Sequence, residues 1–188
     1  MSKTSLIIIL GPPGTGKTTL GKRIAKDLNL PFVHKDGIKE LLFDKLGWSD
    51  RVWSRKVGIA SYGVLYYFVE VQLSAGRSCI VESNFNATYD TEQFLALKAK
   101  YDFEPLQICC MADGEVLFQR FKKRAESGDR HPGHVETLNL EEFKPVLLRG
   151  RDQVMDIGGT VVEVDTTDFE KVDYEGLVEG VRRNIVGL

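Results

Sequence analysis

Residues 6–18 read Leu6-Ile7-Ile8-Ile9-Leu10-Gly11-Pro12-Pro13-Gly14-Thr15-Gly16-Lys17-Thr18, an apolar run that passes directly into the pattern G-x-x-x-x-G-K-T. Five successive aliphatic residues with no polar alternation are the pattern of a strand buried on both faces, as in a parallel sheet. The residues that follow, Thr18-Thr19-Leu20-Gly21-Lys22-Arg23-Ile24-Ala25, have helical periodicity, so the glycine-rich stretch is a loop between a strand and a helix. Chance alone would set those four fixed positions in a chain of this length with a probability on the order of 1%.

A strand-loop-helix of this kind suits a polyphosphate, because the first N–H groups of the helix point outward together and carry the positive end of its dipole. Pro12 and Pro13 have no N–H, so the cradle falls to the amides of residues 14–19. Gly11, Gly14 and Gly16 permit backbone angles and a close approach that side chains would block, and Thr15 and Thr19 complete the loop. In this motif Lys17 lies against the β- and γ-phosphates and the Thr18 hydroxyl ligates magnesium, so ATP and Mg2+ are the expected cofactors.

The chain has 188 residues, which suggests one domain over residues 1–188 with a small lid. Lys and Arg total 25 against 27 Asp and Glu, a balance that gives no general attraction to nucleic acid or to an anionic membrane. Cys79, Cys109 and Cys110 are odd in number and lie in apolar, strand-like runs, so buried thiols are expected rather than disulfides or zinc ligands. That usage points to the cytoplasm. The apolar segment at residues 5–10 is too short to span a bilayer and has no signal-peptide cleavage region.

Strand and helix patterns alternate along the chain, the signature of an α/β protein with a mostly parallel five-stranded sheet and helices on both faces. Strands are expected at residues 6–10, 31–34, 78–82, 106–111 and 160–164. Asp36 reads as the cap of a helix to residue 46, Ser49 or Asp50 as the cap of a long helix ending at Gly76, and Asp90 with Gln93 as a capping box. Asp113 and Asp173 open two further helices.

In such sheets functional residues gather at the carboxyl ends of the strands. Asp36, just past the second strand, is a helix cap on the plainest reading, and it is also a carboxylate beside the phosphate loop that can orient and deprotonate an attacking hydroxyl. Glu82 ends the run Cys79-Ile80-Val81-Glu82, where an acid holds the magnesium shell, although any strand end can carry a solvated carboxylate. Asn84 follows closely enough to position a substrate. Arg120 and Arg124 share a helix face, and Gly128, Pro132 and Gly133 mark a mobile loop, so residues 120–137 form the expected lid, with an ordinary basic helix as the alternative. His131 and His134 read as loop residues rather than metal ligands. Arg51 and Arg55 open the long helix, within reach of an anionic acceptor.

Taken together, residues 11–18, His34-Lys35-Asp36-Gly37-Ile38-Lys39-Glu40, Ile80-Val81-Glu82-Ser83-Asn84-Phe85 and residues 120–134 resemble the small P-loop kinases grouped with the predicted AAA-like ATP-binding proteins. Relatives of chloramphenicol phosphotransferase, zeta toxin, polynucleotide kinase and the shikimate and gluconate kinases belong to that group. The resemblance implies a three-layer P-loop NTPase fold. It makes Asp36 the base, assigns Arg120 to the nucleotide and Arg124 and Arg130 to the transferring group, and brings residues 165–168 near the adenine. Glu82 departs from the aspartate found in many of these kinases. A GTPase is disfavoured by the lack of N-K-x-D, and an AAA+ motor by the short chain and the lack of a second helical domain. The expected activity is transfer of the γ-phosphate of ATP to a hydroxyl of a small molecule. The alternatives are a nucleotide or polynucleotide 5'-hydroxyl kinase and a non-catalytic ATP-binding protein.

Overall fold

The computed structural model describes residues 4–135 and 140–185. Strand β1 (Ser5–Leu10) is buried along its whole length, as its unbroken aliphatic run requires. It pairs with β3 (Cys79–Glu82) on one side and β4 (Glu104–Met111) on the other, while β2 (Phe32–His34) and β5 (Thr160–Asp165) form the edges. The order is β2-β3-β1-β4-β5, and every pairing is parallel, a stronger form of the expected sheet. In this register His34 stands opposite Glu82 and Glu82 opposite Ile9, so three carboxyl ends finish level with one another.

Alternation along β1 splits the core into two layers. Ile7 and Ile9 pack under α1 (Lys17–Leu28) and α7 (Tyr174–Asn184), with Leu20, Ile24, Leu177 and Val181. Leu6, Ile8 and Leu10 pack under α3 (Arg51–Ser74) and α4 (Ala87–Tyr101), with Leu65, Val69 and Phe94. Beyond the sheet, α5 (Gly114–Ser127) and α6 (Leu140–Leu147) share a smaller apolar cluster of Leu117, Phe121 and Leu147. Among the described residues no helix is long and apolar enough to cross a membrane. All three cysteines are buried, and burial pushes the Cys109 thiol up to about 11 and those of Cys79 and Cys110 up to about 12, which leaves them inert.

Three local expectations are corrected. The cap of α2 (Lys35–Leu46) is His34, not Asp36: the His34 Nδ1 accepts from the Gly37 N–H at 3.0 Å, and Asp36 lies in the first turn with its carboxylate left for other partners. A side chain at Gly37 would put its Cβ 2.7 Å from that imidazole, so glycine is what admits an aromatic cap. Helix α4 starts three residues before Asp90, capped by Asn86, and the buried Asp90 reaches back to the Asn86 N–H at 2.6 Å. Helix α6 was not expected, because Pro145 breaks its pattern; it is held by Leu147 against the α5 cluster rather than by propensity. Of the expected lid, residues 136 and 137 lie outside the described residues.

Candidate active site

The loop after β1 is shaped by what its glycines must avoid. A Cβ at Gly11 would lie 2.1 Å from the Cys110 carbonyl oxygen, and one at Gly16 would lie 2.5 Å from the Phe169 ring; both residues also have positive φ, 139° and 75°. Thr15 is fully buried and donates to the Pro12 carbonyl at 2.9 Å, so Thr15 and Gly11 shape the loop from behind. Gly14, Gly16, Lys17, Thr18 and Thr19 face an open cleft of about 850 Å³. The Lys17 ammonium donates to the Pro12 carbonyl at 2.9 Å, at the mouth of the helix whose N-terminus the loop exposes.

At the end of β3 the Glu82 carboxylate accepts from the Thr18 hydroxyl at 2.6 Å. Two oxygens this close, one hydroxyl and one buried carboxylate, are the hard donors that Mg2+ takes when it keeps several waters and shares its shell with substrate phosphates. Among the described residues no group of three or more His, Cys, Asp or Glu side chains is arranged to hold a metal by itself. The donor set therefore fits a cation that arrives with a nucleotide.

Asp36 faces the same cleft from the first turn of α2. It pairs with Arg130 and, at 3.1 Å, with Lys35. Burial acts to raise its carboxyl, but the charges of Lys35, Arg130 and His134 and the hydrogen bond from Arg130 outweigh it and hold the group well below the ordinary carboxylate range. One turn on, Glu40 lies 3.2 Å from Arg130 and accepts from His134 Nε2 at 2.9 Å; a further turn on, Asp44 lies 3.2 Å from His131 Nε2. Asp36, Glu40 and Asp44 thus form an i, i+4, i+8 row on α2 that receives Arg130, His134 and His131. Gly133 lies flat on Phe43, where a Cβ would come within 2.6 Å of the ring, and His131 stacks on the same ring at 5.2 Å between centroids. In this structure residues 130–134 are docked along α2.

The remaining arginines divide between the two ends of the cleft. Arg120 donates to the Thr166 and Thr167 carbonyls at 2.9 Å and approaches the Gly14 carbonyl at 3.4 Å, tying α5 to the phosphate loop and to the segment after β5. Arg124 lines the cleft with its guanidinium 5.3 Å from the Phe121 ring centre. Arg51 and Arg55 reach the Glu142 carboxylate of α6 at 2.7 and 3.0 Å, a contact no sequence spacing announces. Asn84 lines the cleft, and Tyr62 donates to its carbonyl at 3.2 Å.

Sequence reasoning missed Lys35, Lys39, Ser54 and Tyr62, all of which line the cleft. Lys39 is the most buried of these lysines, at 5% exposure, and donates to the Ser54 hydroxyl at 2.9 Å. Burial and the charge of Lys35 lower its ammonium, Asp36 acts the other way, and Arg51 and Arg130 lower it further, to about 8. Its position one turn beyond Asp36 was the available signal.

The family described as an AAA domain matches residues 6–147. Among solved structures, a candidate kinase from Chloroflexus aurantiacus superposes with a TM-score of 0.90 at 42% identity, covering 97% of this chain and 99% of that one. Kti12 from Chaetomium thermophilum, solved in complex with ADP-AlF3, gives 0.68 at 16% identity over 97% of this chain and 100% of that one, a likeness of fold alone. Shikimate kinase from Francisella tularensis is 45% identical over 40 residues, 21% of this chain and 23% of that enzyme. The matches span about a quarter of the length of these curated relatives, a cell division cycle protein 48 homolog from Archaeoglobus fulgidus among them.

Proposed function

The chain belongs to the AAA-domain family, within its small P-loop kinase-like group, and from that premise we propose that it is an ATP- and magnesium-dependent phosphotransferase acting on a hydroxyl of a small molecule. One observation carries the reading: the Thr18–Glu82 pair, Lys17 and the Asp36 carboxylate all face one cleft of about 850 Å³, which suits two reactants held end to end. The amides of residues 14–19 and Lys17 hold the phosphates, while Thr18 and Glu82 hold Mg2+, which supplies charge neutralisation on the transferred group. Asp36 accepts the hydrogen bond of the acceptor hydroxyl and orients it.

The hydroxyl proton passes to Asp36 as the bond between the γ-phosphorus and the ADP oxygen breaks and the bond to the acceptor oxygen forms, in keeping with a loose transition state. Arg124 and Arg130 offset the charge on the transferring group, and Arg130, by its pairing with Asp36, also sets the orientation of that carboxylate. Arg120 serves the nucleotide end.

The test is ADP release from Mg-ATP with and without pooled small alcohols, nucleotides and short RNA, with Lys17→Ala as background. Stimulation by the alcohol pool is expected. Stimulation by nucleotides or RNA alone would move the acceptor to that class, and tight ATP binding with no stimulated turnover would mark a binding protein instead.

A further inference from the structure

We propose that the acceptor is itself an anion, and that Lys39, flanked by Arg51 and Arg55, recognises its carboxylate or phosphate group. The inference rests on the phosphotransferase reading of the same cleft and adds the class of acceptor. Among the described residues the one hydrogen bond of the Lys39 ammonium goes to the Ser54 hydroxyl, although the group is almost fully enclosed between α2 and α3. Burying a charge against a neutral hydroxyl is unfavourable unless something else compensates it. The α2 carboxylates that line the cleft are engaged elsewhere: Asp36 by Arg130 and Lys35, Glu40 by Arg130 and His134.

The surroundings repeat the imbalance. Among the described residues nine lysines and arginines line the cleft against three carboxylates, Asp36, Glu40 and Glu82. A nucleoside triphosphate with its metal offsets part of that excess, at the end where Lys17, Lys22 and Arg120 lie. At the other end, among the described residues, Arg51 and Arg55 share a single carboxylate, Glu142, and Lys39 pairs with none. Gly58 leaves space beside the amine, since a Cβ there would already touch it at 3.8 Å and a longer side chain would cover it. A hydroxy acid or a phosphate monoester seated here would give Lys39 the counter-charge it lacks, with its hydroxyl turned toward Asp36.

The charged groups facing Lys39 are Lys35 and Asp36 on its own helix, Arg51 on α3, and Arg130 and His134 from the segment after α5. With the ammonium held to about 8, kcat/KM for an acid should fall as the pH rises through that value, because kcat/KM reports groups of the free enzyme.

The experiment uses matched pairs on the full chain, with Mg-ADP present for binding and Mg-ATP for transfer: glycerate with glycerol, gluconate with glucose, and glycerol 3-phosphate with glycerol. Binding is measured by calorimetry and transfer by product formation, for the wild type and for Lys39→Met, which keeps the stem and removes the charge. At least one acid should bind tenfold or more tighter than its neutral partner, and Lys39→Met should remove that preference while leaving ATP affinity unchanged. The carboxylate and phosphate series separate the two sources of negative charge. If no acid binds better than its partner, or if Lys39→Met keeps the preference, the inference falls; the wild-type comparison decides even if the variant fails to fold. Acids that bind but are never phosphorylated would leave the anion site standing and overturn the kinase reading. Efficient phosphorylation of a neutral alcohol alone would do the reverse.

Discussion

The two ends of the cleft are built by different means. The phosphate end is made by one continuous segment, residues 10–20, whose backbone amides and glycines carry the proposed nucleotide site, with Glu82 and Arg120 as distant side-chain partners. The acceptor end is made by side chains from α2, the first turns of α3, residues 130–134 and α6, joined by ion pairs across as many as 94 positions of sequence. Backbone recognition is generic to any triphosphate, whereas side chains gathered from several elements can be exchanged singly. On this account nucleotide binding and acceptor choice are separable, and substitutions should sort by the end they touch.

The largest effect expected is at the phosphate end. Lys17→Ala should reduce transfer by about 10³-fold or more, since it removes the cation that meets the β- and γ-phosphates. Retained transfer would break the assignment of that end. At the same end Glu82→Gln should have a smaller effect, with turnover down by about 10- to 100-fold and a raised magnesium requirement, read from a metal titration at fixed ATP. An unchanged metal dependence would make Glu82 only a hydroxyl acceptor for Thr18.

Effects at the docked segment should be smaller and should show in stability. Burial lowers the His134 imidazole, against the hydrogen bond to Glu40, which raises it. The unfolded chain then takes up that proton before the folded one, so the stabilising contribution is full above about 6.5 and is lost as the pH falls below it. The melting temperature of the wild type should drop between pH 7 and pH 5.5 by more than that of His134→Gln. Asp36 and Glu40, both lowered, titrate below this window. The smallest change is expected for Asp44→Asn, whose carboxylate is 64% exposed; its pairing with His131 should be worth about 0.5 kcal/mol or less by denaturant unfolding.

The contrast also explains what could be read from the chain. The sheet, the helices other than α6 and the phosphate loop were legible because each is written in a short window: a buried run, a capping residue, a glycine spacing. Asp36 and Glu82 were legible as carboxylates at the carboxyl ends of strands. The role of Asp36 as a helix cap was misread because His34 takes that place, and a histidine cap that depends on the missing side chain of Gly37 leaves no strong local pattern. Lys39 was passed over because its burial depends on α3 packing across it, and α6 because tertiary contact through Leu147 overrides a proline. The row of Asp36, Glu40 and Asp44 was present in the sequence as an i, i+4 spacing, but its partners lie on another element.

The most direct test of separable ends is Asp36→Asn, with ATP affinity measured by calorimetry and transfer to the identified acceptor measured on the same preparation. The account predicts nucleotide affinity within about twofold of wild type and transfer lower by about 10²-fold or more. Unchanged turnover, or a loss of ATP affinity as large as the loss of transfer, would contradict it.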